Sequence, residues 1–136
     1  MFSIDSNNNI EFTIGDTASL HVVLYNIDGS KYSIADGDII RFTIADQYCG
    51  NIVVQKDSAS QIIPIYPSDT SNLISGVYIY DIKLITQSND VYTPIGPSEF
   101  KMSYGTHIVK FPDNIETISN NSNLTNQVLS VSGVIA

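Results

Sequence analysis

The chain is poor in basic charge, has a single cysteine and two histidines, and contains no tryptophan. Six bases (Lys31, Arg41, Lys56, Lys83, Lys101 and Lys110) are scattered singly against fourteen acids, leaving a net charge of −8. Phosphate backbones are bound by clustered Lys and Arg, so nucleic acid is not an expected partner. The lone Cys49 forbids an intrachain disulfide and suits assembly in a reducing cytosol. One Cys and two distant His do not make a zinc set, so no metal centre is expected. The start, MFSIDSNNNIEF, has neither a basic n-region nor an apolar h-region, so no signal peptide is expected. No apolar run approaches the roughly 20 residues of a membrane helix, so no membrane partner is expected either. Phosphate-cradling glycine motifs and the GxSxG elbow are also missing. The expectation is a protein without cofactor and without enzymatic activity.

Charged residues make up only 15% of the chain, against about 25% in an average protein. With 43% hydrophobic residues in 136, the chain is globular and of one-domain size. Its polar surface must therefore come from Ser, Thr, Asn, Gln and Tyr. Such an exterior suits an all-β protein, or one that commits much of its surface to other subunits.

Alternating stretches recur at short spacing. IEFTI (10–14), SLHVVLYN within 18–26, IIRFTIA (39–45), IVVQK (52–56) and QIIPIY (61–66) each read as strands. Asp28-Gly29 predicts a hairpin joining 18–26 to 31–34. Pro64 cannot donate to a ladder, which puts its strand at a sheet edge or a bend. PSDTSNL (67–73) predicts a helical turn capped by Ser68 or Asp69, where the chain crosses between sheets. A long strand starts at Gly76, turns near Ser88-Asn89-Asp90 and returns as VYTPIGPSEFKMSY, with Pro94 and Pro97 predicting bulges or an edge. On the outgoing strand Tyr78, Tyr80, Ile82 and Leu84 share one face and point to the core. Val77, Ile79, Asp81, Lys83 and Ile85 take the other. Eight or nine short strands with turns between them predict an antiparallel β-sandwich, with a closed barrel as the alternative and the helical turn before the Tyr-bearing strand favouring the sandwich.

Near Thr106 the composition shifts to Asn and Ser, with apolar residues at irregular spacing. The reading is a sandwich domain at 1–105 followed by an extended C-terminal arm at 106–136, anchored on partner proteins. Its contact residues would be Ile115, Ile118, Leu124, Val128, Leu129, Val131, Val134 and Ile135. On this reading residues 119–136 could be removed without loss of the fold.

Three constellations of residues could carry chemistry. Cys49 with His21 or His107 could form a nucleophile–base pair only with a third orienting group, so a loop thiol and a strand histidine are expected instead. Asp28, Asp36, Asp38 and Asp46 cluster at turns, where calcium could bind, but Asp favours turns because it caps its own backbone. Eight tyrosines could offer a sugar-binding surface, but Tyr is also an ordinary strand residue.

GDTASLHVVLYNIDGSKYSIADGDIIRFTI (15–44), IVVQKD (52–57) and PSDTSNLISGVYIYDIKLITQSNDVYTPIGPSEFKM (67–102) resemble small β-sandwich modules of tailed phages and prophages of Gram-positive bacteria. The immunoglobulin-like N-terminal domains of phage upper-baseplate proteins are similar over about residues 10–103. The resemblance implies an immunoglobulin-like sandwich in a virion assembled in the bacterial host cytoplasm. It carries no catalytic residues. Its partners would be other virion proteins, major capsid or tail and baseplate subunits, in a multi-copy assembly. Modules of that type continue into a further domain, whereas 106–136 is all that follows here. An accessory subunit of the capsid-decoration or cement type is therefore the expectation. A baseplate or tail-attached module meeting a host cell-surface glycan is the alternative.

Overall fold

Alternation of apolar and polar residues sets the local structure, because successive side chains of a strand point to opposite faces. The computed structural model describes residues 2–47, 50–105 and 127–135. Among them are nine strands and one short helix: β1 Phe2–Ile4, β2 Ile10–Thr13, β3 Ala18–Tyr25, β4 Ile39–Asp46, β5 Ile52–Ser58, β6 Ile62–Ile65, α1 Pro67–Thr70, β7 Gly76–Ile85, β8 Val91–Ser103 and β9 Gln127–Val134. The chain is predominantly β. Strands β3, β4 and β7 bury every second residue, as their sequences predict. Tyr78, Tyr80, Ile82 and Leu84 are all buried.

Six strands form one sheet in the order β1-β2-β8-β7-β4-β5, and three form a second in the order β6-β3-β9. Their buried residues make a single core. Phe12, Phe42, Tyr80 and Phe100 of the large sheet form an aromatic cluster with centroids 5.6–6.1 Å apart. Leu20, Leu24, Ile63 and Leu129 of the small sheet belong to the same core. Tyr80 keeps its hydroxyl satisfied there by donating to the Asn8 carbonyl at 2.6 Å. Burial pushes its ionisation upward, with the Asp5 charge adding to the shift.

The sequence-based expectation of purely antiparallel sheets is corrected. β2 runs parallel to β8, and β3 runs parallel to β9, so both sheets are mixed. The expected hairpin between 18–26 and 31–34 shrinks to one bridge, Tyr25 with Lys31. From there the chain leaves the sheet toward the Asp38 turn. β6 is an edge strand, as Pro64 requires. α1 then carries the chain from the small sheet to the large one. Asp69 is the capping residue: its carboxylate accepts the Tyr66 N–H at 2.7 Å and the Lys56 ammonium at 2.6 Å. β8 carries the expected bulges, since Tyr80, Ile82 and Leu84 face Ser98, Ile95 and Tyr92, three residues for every two. Gly96 lies there at φ +94, and a methyl on it would come within 2.6 Å of the Tyr80 carbonyl oxygen.

The largest departure from the sequence reading concerns residues 127–135. They are part of the fold: β9 pairs with β3 over eight residues, from Ala18 with Gln127 to Tyr25 with Val134. Leu129 and Val131 are 1% exposed in this chain's own core and so cannot anchor a partner. Ile135 packs against that core and donates its N–H to the Tyr25 carbonyl. A boundary at 105/106 therefore does not separate these residues from the β domain. Gly133 permits the fit, because a Cβ there would lie 2.0 Å from the Pro94 carbonyl oxygen of β8.

Candidate interaction surface

The residues singled out for chemistry are dispersed or lie outside the described residues. Cys49, Tyr48 and His107 are among the latter, as are Ile115, Ile118 and Leu124. His21 is half-buried on β3. Asp28 accepts from the Ser30 N–H at 2.9 Å and the Ser30 hydroxyl at 2.6 Å, and those bonds hold its pKa below the usual carboxylate value. Asp38 accepts from the Tyr32 hydroxyl, the Ala35 N–H and the Gln87 N–H. At Asp46 the backbone closes a turn, its carbonyl accepting from the Gly50 N–H. Among the described residues no three His, Cys, Asp or Glu side chains converge as metal ligands would. The surface tyrosines fall on separate elements: Tyr25 ends β3, Tyr66 precedes α1, Tyr92 lies in β8 and Tyr104 follows it. One face of Tyr66 is occupied by the Lys56 ammonium, 4.5 Å from the ring centre.

The two sheets differ in what they show to solvent. The outer face of the large sheet carries charges set among apolar residues such as Ile39, Val77, Ile79 and Ile85. Arg41 makes a two-point contact with Asp57 at 2.8 and 2.9 Å, which lowers the Asp57 pKa. Lys83 reaches Thr93 at 2.7 Å and Asp81 at 3.9 Å. Glu11 lies opposite Lys101 in register, and Glu99 opposite Ile79.

The outer face of the small sheet is built otherwise. Register sets Pro64, Ser19 and Val128 side by side, then Ile62, His21 and Ser130, then Val23 with Ser132, then Tyr25 with Val134. None of these is an acid or a Lys or Arg. Ile62, Val128 and Val134 remain 48%, 51% and 49% exposed. Beside β3, where β6 ends and the 31–33 segment takes over, an open groove of about 410 Å³ is lined by residues including His21, Lys31, Tyr32, Ser33, Ser60 and Gln61. Of the proposed arm residues, Val128 and Val134 thus lie on a surface a partner could cover. This face was hidden from sequence reasoning because it joins residues up to 115 apart, Ser19 with Val134 at the extremes. The short alternation Leu129-Ser130-Val131-Ser132 is the one signal that could have revealed β9.

No helix among the described residues is long and apolar enough to cross a membrane. Comparison with protein-family models, with curated proteins and with solved structures returned no match.

Proposed function

We propose that the protein is a non-enzymatic structural subunit of a phage virion, an accessory subunit of the capsid-decoration or cement type. In this reading the two sheets are an immunoglobulin-like sandwich, extended by a parallel strand in each sheet. Its partners are other virion proteins, major capsid or tail and baseplate subunits, and it serves in many copies. The observation that carries the reading is the uncharged outer face of the small sheet on a chain of net charge −8. Half-exposed Val128, Val134 and Ile62 leave apolar area there for a neighbour to cover. Covering the remaining half of each side chain is worth about 1 kcal/mol. A lattice repeats such a contact at every copy.

Mass spectrometry of purified particles from the encoding strain tests the proposal. The protein is expected as a stoichiometric particle component, and Val128→Asp should lower its occupancy at least tenfold. Particles that lack the protein would refute the assignment. The groove beside His21 supports a second reading, a tail or baseplate module that meets a host glycan. Its hydroxyl, amide and ammonium groups beside Tyr32 are suited to hydrogen-bonding a sugar. Specific retention of the isolated protein on host cell-wall glycan, lost in Lys31→Ala, would favour that reading.

A further inference from the structure

We propose that the outer face of the three-stranded sheet is where two copies of this chain meet, as a reversible two-fold dimer. The inference rests on the reading of that face as a contact surface and names its occupant. The first argument is charge. All fourteen acids except Asp113 and Glu116 lie in described residues, and none of these is on this face. Two copies each bearing −8 repel, and every pair of like charges brought to about 4 Å costs about 1 kcal/mol even in water. A face cleared of acids is the one through which a chain of this charge approaches itself at least cost. A basic partner would be met by the acid-bearing turns instead.

The second argument is self-complementarity. A two-fold contact sets the same patch against itself, so donors must find acceptors without a second set of residues. Ser19, Ser130 and Ser132 supply hydroxyls, which both donate and accept. Val23, Val128 and Val134 between them need only another apolar surface. A patch of fixed charges of one sign would fail this requirement.

Size sets the strength. Eight-residue strands β3 and β9 with four-residue β6 give a face of roughly 26 Å by 14 Å. That is small against the ~800 Å² per partner of a standard stable interface. The dimer is therefore concentration-dependent and is reinforced wherever copies are held side by side.

Sedimentation velocity from about 10 μM to about 1 mM reads this directly. The wild-type chain should shift from monomer toward dimer across the range. Val23→Asp combined with Val128→Asp should weaken association at least tenfold. Val91→Asp, on an exposed apolar residue of the large sheet, should leave it unchanged. If the double variant fails to melt cooperatively, Ser130→Lys at an exposed position takes its place. A wild-type chain still monomeric at the top concentration overturns the proposal, as does association indifferent to the variants or equally sensitive to Val91→Asp. A monomer that nonetheless copurifies with particles sinks the dimer and spares the virion reading. A dimer that is never found in particles does the reverse.

Discussion

Asp38 is only 4% exposed, and a carboxylate is buried at tolerable cost when donors converge on it. Here the donors are the Tyr32 hydroxyl, the Ala35 N–H at 2.9 Å and the Gln87 N–H at 3.3 Å. The Tyr32 bond leads in holding the Asp38 pKa below its ordinary value, and the same bond pushes Tyr32 up to about 12. A depressed carboxylate stabilises the fold above its unfolded pKa of about 4, and that contribution disappears as pH falls below it. A raised tyrosine stabilises below its ordinary value of 10.0, and the contribution is lost as pH climbs from there toward 12. Asp38→Asn should thus lower the urea midpoint at pH 7 and flatten its decline on acidification, with a cost of about 1–3 kcal/mol at neutral pH. Equal acid slopes in variant and wild type would show that Asp38 does not carry the effect. The Asp36-Gly37-Asp38 turn was readable from the sequence. The partners that make Asp38 a staple were not, since Gln87 is 49 residues away.

β9 shows how much depends on one strand. Its inward residues Leu129 and Val131 are each worth about 1.5–3 kcal/mol of burial. Its pairing also covers the edge of β3 through eight residues. Together these are comparable to the whole margin of about 5–15 kcal/mol that holds a domain folded. A chain ending at residue 126 should lose cooperative melting by near-ultraviolet dichroism and bind a hydrophobic dye. A sharp transition retained in that truncation would show that β9 is dispensable. Composition misled here because the stretch before Gln127 is rich in Asn and Ser, which masked a four-residue alternation. β7 was easier to read: Asp81 and Lys83, set between Tyr80, Ile82 and Leu84, mark the outer face, and burial alternates along the strand.

Across the whole molecule, the parallel pairs tie distant parts of the chain together. Ile10 lies opposite Phe100, and Ala18 opposite Gln127. Such pairings close long loops before they yield contacts, and sheets of this kind fold slowly. Refolding from urea, followed by tyrosine fluorescence, should take on the order of milliseconds to seconds. A sub-millisecond return would mean that the long-range pairs form after the observed step. The β3–β9 pair also creates the uncharged outer face of the small sheet, which exists only once β6, β3 and β9 lie side by side.

By itself the sequence determined the β character of the chain, the spans of β3, β4 and β7 and the inward turn of Tyr78 and Tyr80, and it narrowed Pro64 to an edge or a bend and β8 to a bulge or an edge. All of these follow from period-two alternation, or from the missing N–H and fixed φ of proline, and both act within a few residues. Tertiary structure alone decided which strands are neighbours, that two of the pairs are parallel, and that Leu129 and Val131 belong to the core. The physical reason is that a strand's own residues specify which face is apolar but not whose backbone will complete its hydrogen bonds. That choice is made by the edge that β3 leaves open and by the close approach that Gly133 allows at Pro94.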